Sequence, residues 1–119
     1  MELQKLLNTI KKHPQYHQSG MVLCHNGVVR ATSRDGREVS GLTVKVDHQK
    51  LHQVIEENKK NDGIIDILVE IAEDRFLKVG DDVMYIVVAG DVRENVISAM
   101  TSTLNDVKAT VTHKTESYI

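Results

Sequence analysis

The side chains best suited to chemistry in this sequence are basic. Arg30, Arg34 and Arg37 share one short polar stretch, Arg93 opens a helical segment, and Lys108 and Lys114 lie near the end of the chain. Guanidinium groups grip carboxylates and phosphates through paired hydrogen bonds. A lysine ammonium stabilises developing negative charge and, once desolvated, acts as a base or nucleophile. Such a set suits an anionic ligand. The chain carries 15 basic and 17 acidic residues, a net charge of −2, so any anion site is local. A general nucleic-acid binder, which relies on a broad basic surface, is disfavoured.

The basic residues differ in setting. Arg30 directly follows an apolar run and is expected to face an anion, whereas Arg34 and Arg37 read as solvated rim charges of a loop. Arg93 falls in the first turn of a helix, where a cation opposes the dipole unless an anion offsets it. Lys108, at the other end of that helix, agrees with the dipole.

Other chemistries have weaker support. Cys24 lies within the apolar run 21–24 and reads as an inert core residue. As the sole cysteine it forms no internal disulfide, which suits a reducing cytoplasm. His48 and His52 have the helical spacing that can share a metal, but no third ligand stands nearby, so solvated helix residues are the expectation. No phosphate-binding glycine loop or nucleophile elbow occurs. Neither a metal nor a cofactor is expected.

The 119 residues suit one domain. Leu3, Leu6, Leu7 and Ile10 form the apolar stripe of a helix over 2–12, which Pro14 ends. Residues 21–29 and 42–46 read as strands, joined in a hairpin through Asp35-Gly36. Asp47 is placed to cap a helix over 48–60. Strands follow at 64–72 and 83–89, separated by a turn at 79–82. Asp91 and Glu94 have capping-box spacing ahead of a helix over 92–107, and 110–118 alternates as an edge strand or ordered tail. This order favours an α+β fold, a mixed or antiparallel sheet with helices packed on one side. Arg93 and Lys108 are fifteen residues apart, about 22 Å along a helix. They cannot share a small pocket within one chain, but a two-fold dimer could bring one copy's Arg93 to the other's Lys108.

The segment Gly27-Val28-Val29-Arg30, a polar loop, then Gly36-Arg37-Glu38-Val39-Ser40-Gly41-Leu42 resembles the catalytic (large) subunit family of molybdopterin synthase. Leu77-Lys78-Val79-Gly80-Asp81 and Ile86-Val87-Val88 resemble its next turn and strand. Arg93, Lys108 and Lys114 match its helix arginine, catalytic lysine and terminal lysine. The likeness covers about residues 20–116, which leaves 1–19 as an N-terminal helical extension. It implies an α/β hammerhead fold and a central homodimer, extended to a heterotetramer by a ubiquitin-like small subunit. That partner's Gly-Gly tail carries a thiocarboxylate, and sulfur passes from it to cyclic pyranopterin monophosphate to build the molybdopterin dithiolene. By resemblance Lys108 and Lys114 are catalytic, while Arg30, Arg93 and Arg37 bind substrate. Val92 replaces the family's histidine, and the tail reads Thr112-His113-Lys114 in place of Pro-x-Trp-Lys. The rival reading is a divergent, non-catalytic relative that grips a carrier tail or a small anion.

Overall fold

Residues 83–89 are apolar at every position except Tyr85, and a strand of that composition needs cover on both faces. In the computed structural model, which describes residues 1–119, it is the central strand β5 (Asp82–Gly90). To either side lie β1 (Met21–Val28) and β3 (Ile64–Ile71), both antiparallel to it, with Cys24 and Leu68 opposite Val87. Ile86 and Val88 face α2 (His48–Lys59) and α3 (Arg93–Asp106), whose Leu51, Val54, Val96 and Ala99 complete the main core. Val87 and Ala89 face the opposite way and are covered by Ile10 of α1 (Leu3–Lys11). Helices therefore lie on both faces of this sheet, not on one side as expected. The cause is the two-sided apolarity of β5: each fully buried Val or Ile contributes about 1.5–3 kcal/mol, and α1 supplies the second cover.

A second antiparallel sheet holds β2 (Val39–Val46) between β4 (Leu77–Lys78) and β6 (Thr112–Tyr118). Leu42 and Val44 are buried with Val29, Ala72 and Leu77 in a separate cluster, while Lys45 between them and α2 is exposed. The α+β class stands, with every strand pair antiparallel. The expected hairpin does not form: β1 pairs with β5, and β2 pairs with β4 and β6. Residues between β1 and β2 close on themselves instead. Val39 N–H donates to Ala31 O at 2.9 Å, Thr32 bridges Glu38, and Gly36 takes φ +87° at the tip. The distant β5, apolar over most of its length, is the stronger partner for β1. The final segment is an edge strand, one of the two alternatives its alternation allowed.

Two caps are legible in different degrees. Asp47 accepts from Lys50 N–H at 3.1 Å and starts α2 as expected. The Asp91–Glu94 box is absent because the N-cap is Val92, one residue later. Asp91 instead accepts from Val92 N–H at 2.6 Å and from Asn95 Nδ2 at 2.9 Å, while Glu94 turns to Arg93. Beyond α3 the chain widens into a π turn, Val107–Val111, which reverses it into β6. Asp47 N–H donates to Val111 O at 2.9 Å and ties the α2 start to that turn.

Candidate functional site: a basic cleft between the sheets

Where the two sheets diverge, an apolar floor of Leu42, Val44, Ile71, Val83 and Met84 lies under a cleft of 360 Å³. Basic groups enter it from separate elements. The π turn projects Lys108, β6 projects Lys114, and the 31–38 loop projects Arg34. The cleft runs on into a more polar recess of 490 Å³ lined by Arg30, Thr32, Ser33 and Glu116, and Arg34, Lys108 and Lys114 border both.

Each position follows from local structure. In β6, Lys114 lies opposite Val44 and Glu116 opposite Leu42, so strand alternation sets both on the face of the apolar floor. Lys108 is the second residue of the π turn, and the widened turn is what aims a side chain from the α3 end across toward β6. Such turns recur at functional sites. Arg30 Nε donates to Thr32 O at 2.8 Å, which fixes the guanidinium along the loop. Ser33 holds the loop's shape: its hydroxyl donates to the Asp35 carboxylate and accepts from Arg37 N–H at 3.0 Å. The hydroxyl bond is the main reason the Asp35 carboxyl titrates below its ordinary value.

No carboxylate forms an ion pair with Arg30, Arg34, Lys108 or Lys114; the chain's ion pairs all lie elsewhere. Four cations thus face the two joined recesses with one carboxylate, Glu116, among them and no ion pair formed. This arrangement attracts an anion, and the apolar floor below accommodates a flat or aliphatic body.

Of the residues singled out from sequence, Lys108, Lys114 and Arg30 come together within one chain. Arg37 and Arg93 do not join them. Arg37 stacks over the Tyr118 ring, 3.5 Å from its centroid, and lines neither recess. Arg93 stands at the opposite end of α3 from Lys108, with its side chain 78% exposed and 3.4 Å from Glu94. Arg34, expected as a rim charge, lines both recesses. His25 was missed altogether, although its alternation with Leu23, a core-facing residue, was available as a signal. Burial, and secondarily the Lys108 charge, lower the His25 pKa.

Cys24 corrects the expectation of a core residue: it is exposed. Its register opposite Val87 puts it on the α1 face, and β1 is an edge strand that leaves it without cover. Partial desolvation raises the thiol pKa, away from the thiolate needed for reactivity. His48 pairs with Glu73 at 2.8 Å, and no group of three His, Cys, Asp or Glu side chains is placed to hold a metal. No helix is long and apolar enough to cross a membrane.

Known proteins share this architecture. Molybdopterin synthase from Staphylococcus aureus superposes with a TM-score of 0.81 at 20% identity, over 100% of this chain and 86% of that one. The molybdopterin biosynthesis MoaE protein from Burkholderia ambifaria gives 0.77 at 14% identity, over 100% and 81%. The complex of subunits 1 and 2 of molybdopterin-converting factor from Helicobacter pylori gives 0.72 at 16% identity, over 98% and 78%. No curated protein sequence matches the chain. At these identities the structures speak for the fold. The sequence itself matches the family described as MoaE protein over residues 1–110, a span that takes in α1 and most of the cleft, and the chain belongs to that family.

Proposed function

We propose that this protein is the large, catalytic subunit of a molybdopterin synthase and acts in molybdenum cofactor biosynthesis. The observation that carries the reading is the convergence of Arg30, Arg34, Lys108 and Lys114, free of carboxylate partners, over an apolar floor. A thiocarboxylated Gly-Gly tail from a ubiquitin-like partner and a cyclic pyranopterin monophosphate are both anions of the kind such a cleft favours. The guanidinium groups hold phosphate and pterin, and the lysines stabilise charge as sulfur passes from tail to substrate. The reaction belongs in the cytoplasm, where an unpaired cysteine such as Cys24 stays reduced.

Arg93 enters the site from a second copy of the chain. A two-fold dimer sets paired surfaces reciprocally, so the exposed start of α3 in one protomer reaches the Lys108 end of its partner. Arg37 supports the substrate loop from behind. Residues 1–19 serve as cover for the first sheet and stand apart from the chemistry.

The test mixes the purified protein with thiocarboxylated carrier and cyclic pyranopterin monophosphate and assays dithiolene product. Lys108→Ala is expected to lower the rate about 10²–10³-fold, the scale for losing one preorganised electrostatic group. Carrier binding without product in the unaltered protein would reduce it to a binding module.

A further inference from the structure

His25 is a titratable group of the cleft that has no part in the function proposed above. His25 lines the apolar recess from β1, on the same strand face as Leu23. The charged groups that border the recess with it are all cations: Lys108 from the π turn, Lys114 from β6 and Arg34 from the loop. The strands packed alongside present Val44, Ile71 and Met84, which are apolar. His113 also borders the recess, but it lies opposite Lys45, on the other face of β6 from Lys114.

This setting keeps the ring uncharged. Burial disfavours the imidazolium and the Lys108 ammonium disfavours it further, so the pKa lies below the ordinary imidazole value. At neutral pH the His25 ring is therefore a neutral nitrogen base amid ammonium and guanidinium donors. The nearest carboxylate, Glu116, lines the adjoining recess with Arg30 and not the apolar recess that His25 borders. A base titrating nearer the working pH is the more effective proton acceptor.

We propose that His25 is the proton acceptor of the cleft and activates the water that frees the carrier tail. The inference rests on the sulfur-transfer function proposed above. In that reaction the thiocarboxylate sulfur adds to a carbonyl carbon of the substrate, and the carbonyl π pair moves to its oxygen, which takes a proton from solvent. The tail's own carbonyl is left joined to the substrate through a thioester. Water then attacks the carbonyl carbon and gives one proton to the His25 ring as the carbon–oxygen bond forms. The carbonyl carbon–sulfur bond breaks, and its electron pair leaves with sulfur on the substrate. The imidazolium returns its proton to that sulfur, the new carboxyl releases its own proton to solvent, and the tail departs as a carboxylate. Water is the only added reactant, and no oxidant or reductant is required. The cationic neighbours assist by stabilising the oxyanion on the tetrahedral carbon.

The experiment follows thioester cleavage in a single turnover of this protein with thiocarboxylated carrier and cyclic pyranopterin monophosphate, across pH. The unaltered protein is expected to lose rate as the pH falls through the depressed His25 titration. His25→Phe, an apolar ring suited to the apolar floor, and His25→Asn, a polar ring-free group, should each cut cleavage about 10²-fold and remove that acid limb. Carrier affinity should not change. Proton NMR of the free protein supplies a second readout: the His25 titration should sit below the ordinary value and move up in Lys108→Met. Equal rates and the same acid limb in both His25 variants overturn the role of His25 and leave the synthase function standing. Failure of the unaltered protein to form product overturns both.

Discussion

The two sheets of this molecule are built for different work. In β1–β5–β3 the central strand has no solvent-facing side, and Ile86, Val87, Val88 and Ala89 are 0% exposed. In β4–β2–β6 only one face is apolar, and β6 is an edge strand with His113, Lys114, Thr115 and Ser117 exposed. The first sheet's central strand has no position that could change without disturbing packing on one side or the other. The second sheet carries Lys114 and Glu116 on the rim of its apolar face, where polar groups cost the core nothing. The first sheet's polar contribution to the cleft, His25, comes from its edge strand β1 and not from its central strand, so in both sheets the groups suited to chemistry sit where packing leaves them room.

Ile86→Ala tests the scaffold half and has the largest expected effect. It removes a fully buried side chain among Ile67, Val96 and Ala99, so unfolding stability should fall by about 2–5 kcal/mol. Urea denaturation measures the loss. A variant that still folds should retain its affinity for anions, because no residue it touches lines the polar recess. Equal losses of stability from Lys114→Ala, on the second sheet, would erase the distinction between the two.

Arg34 and Arg37 sharpen the comparison within a single loop. Arg34 faces both recesses, whereas Arg37 lies on the Tyr118 ring. A hydrogen bond to a charged group is worth about 1.5–3 kcal/mol, so Arg34→Met should weaken pyrophosphate binding by roughly 10–100-fold. Arg37→Met should weaken it by about two-fold, through loop position alone. Calorimetric titration at fixed salt separates the two, and similar losses would mean that both guanidinium groups reach the ligand.

Much of this architecture is legible in the sequence. Periodicity marks all three helices to within a residue or two, and the apolar run at 83–89 marks the strand that organises the first sheet. Helical rise alone shows that Arg93 and Lys108 lie too far apart to meet in one chain. The partnership of β1 is not legible, because local turn signals at Asp35-Gly36 favour a hairpin and say nothing of a competitor some sixty residues away. The facing of Arg34 and Arg37 is hidden for a related reason. A loop has no period, and here Gly36, Ser33 and the Tyr118 ring decide which guanidinium turns inward. His25 is accessible through strand alternation, but the apolar run around it signals packing more strongly than chemistry.

Asp47→Ala probes the joint between the sheets. The carboxylate caps α2, and the same residue's N–H holds Val111 at the end of the turn that bears Lys108. Loss of the cap should cost about 1 kcal/mol, read as a lower urea midpoint. The backbone bond to Val111 survives the substitution, so product formation should fall far less than in Lys108→Ala. A comparable fall in activity would show that the α2 start positions Lys108 through the side chain and not through the backbone.

The smallest effect is expected at Tyr118, and it bears on how the loop is held. β6 delivers Lys114 to the cleft and, four residues on, places an aromatic ring beneath Arg37. Ile119 N–H adds a bond to Glu38 O at 3.1 Å, so the end of the chain grips the back of the loop that carries Arg34. An exposed cation–π contact is worth about 0.5–1 kcal/mol, and Tyr118→Leu should lower stability by no more than that. Its effect on binding should mirror that of Arg37→Met, since both release the same contact. The double variant should therefore bind pyrophosphate no more weakly than either single one, whereas additive losses would show that Tyr118 and Arg37 act on the cleft by separate routes.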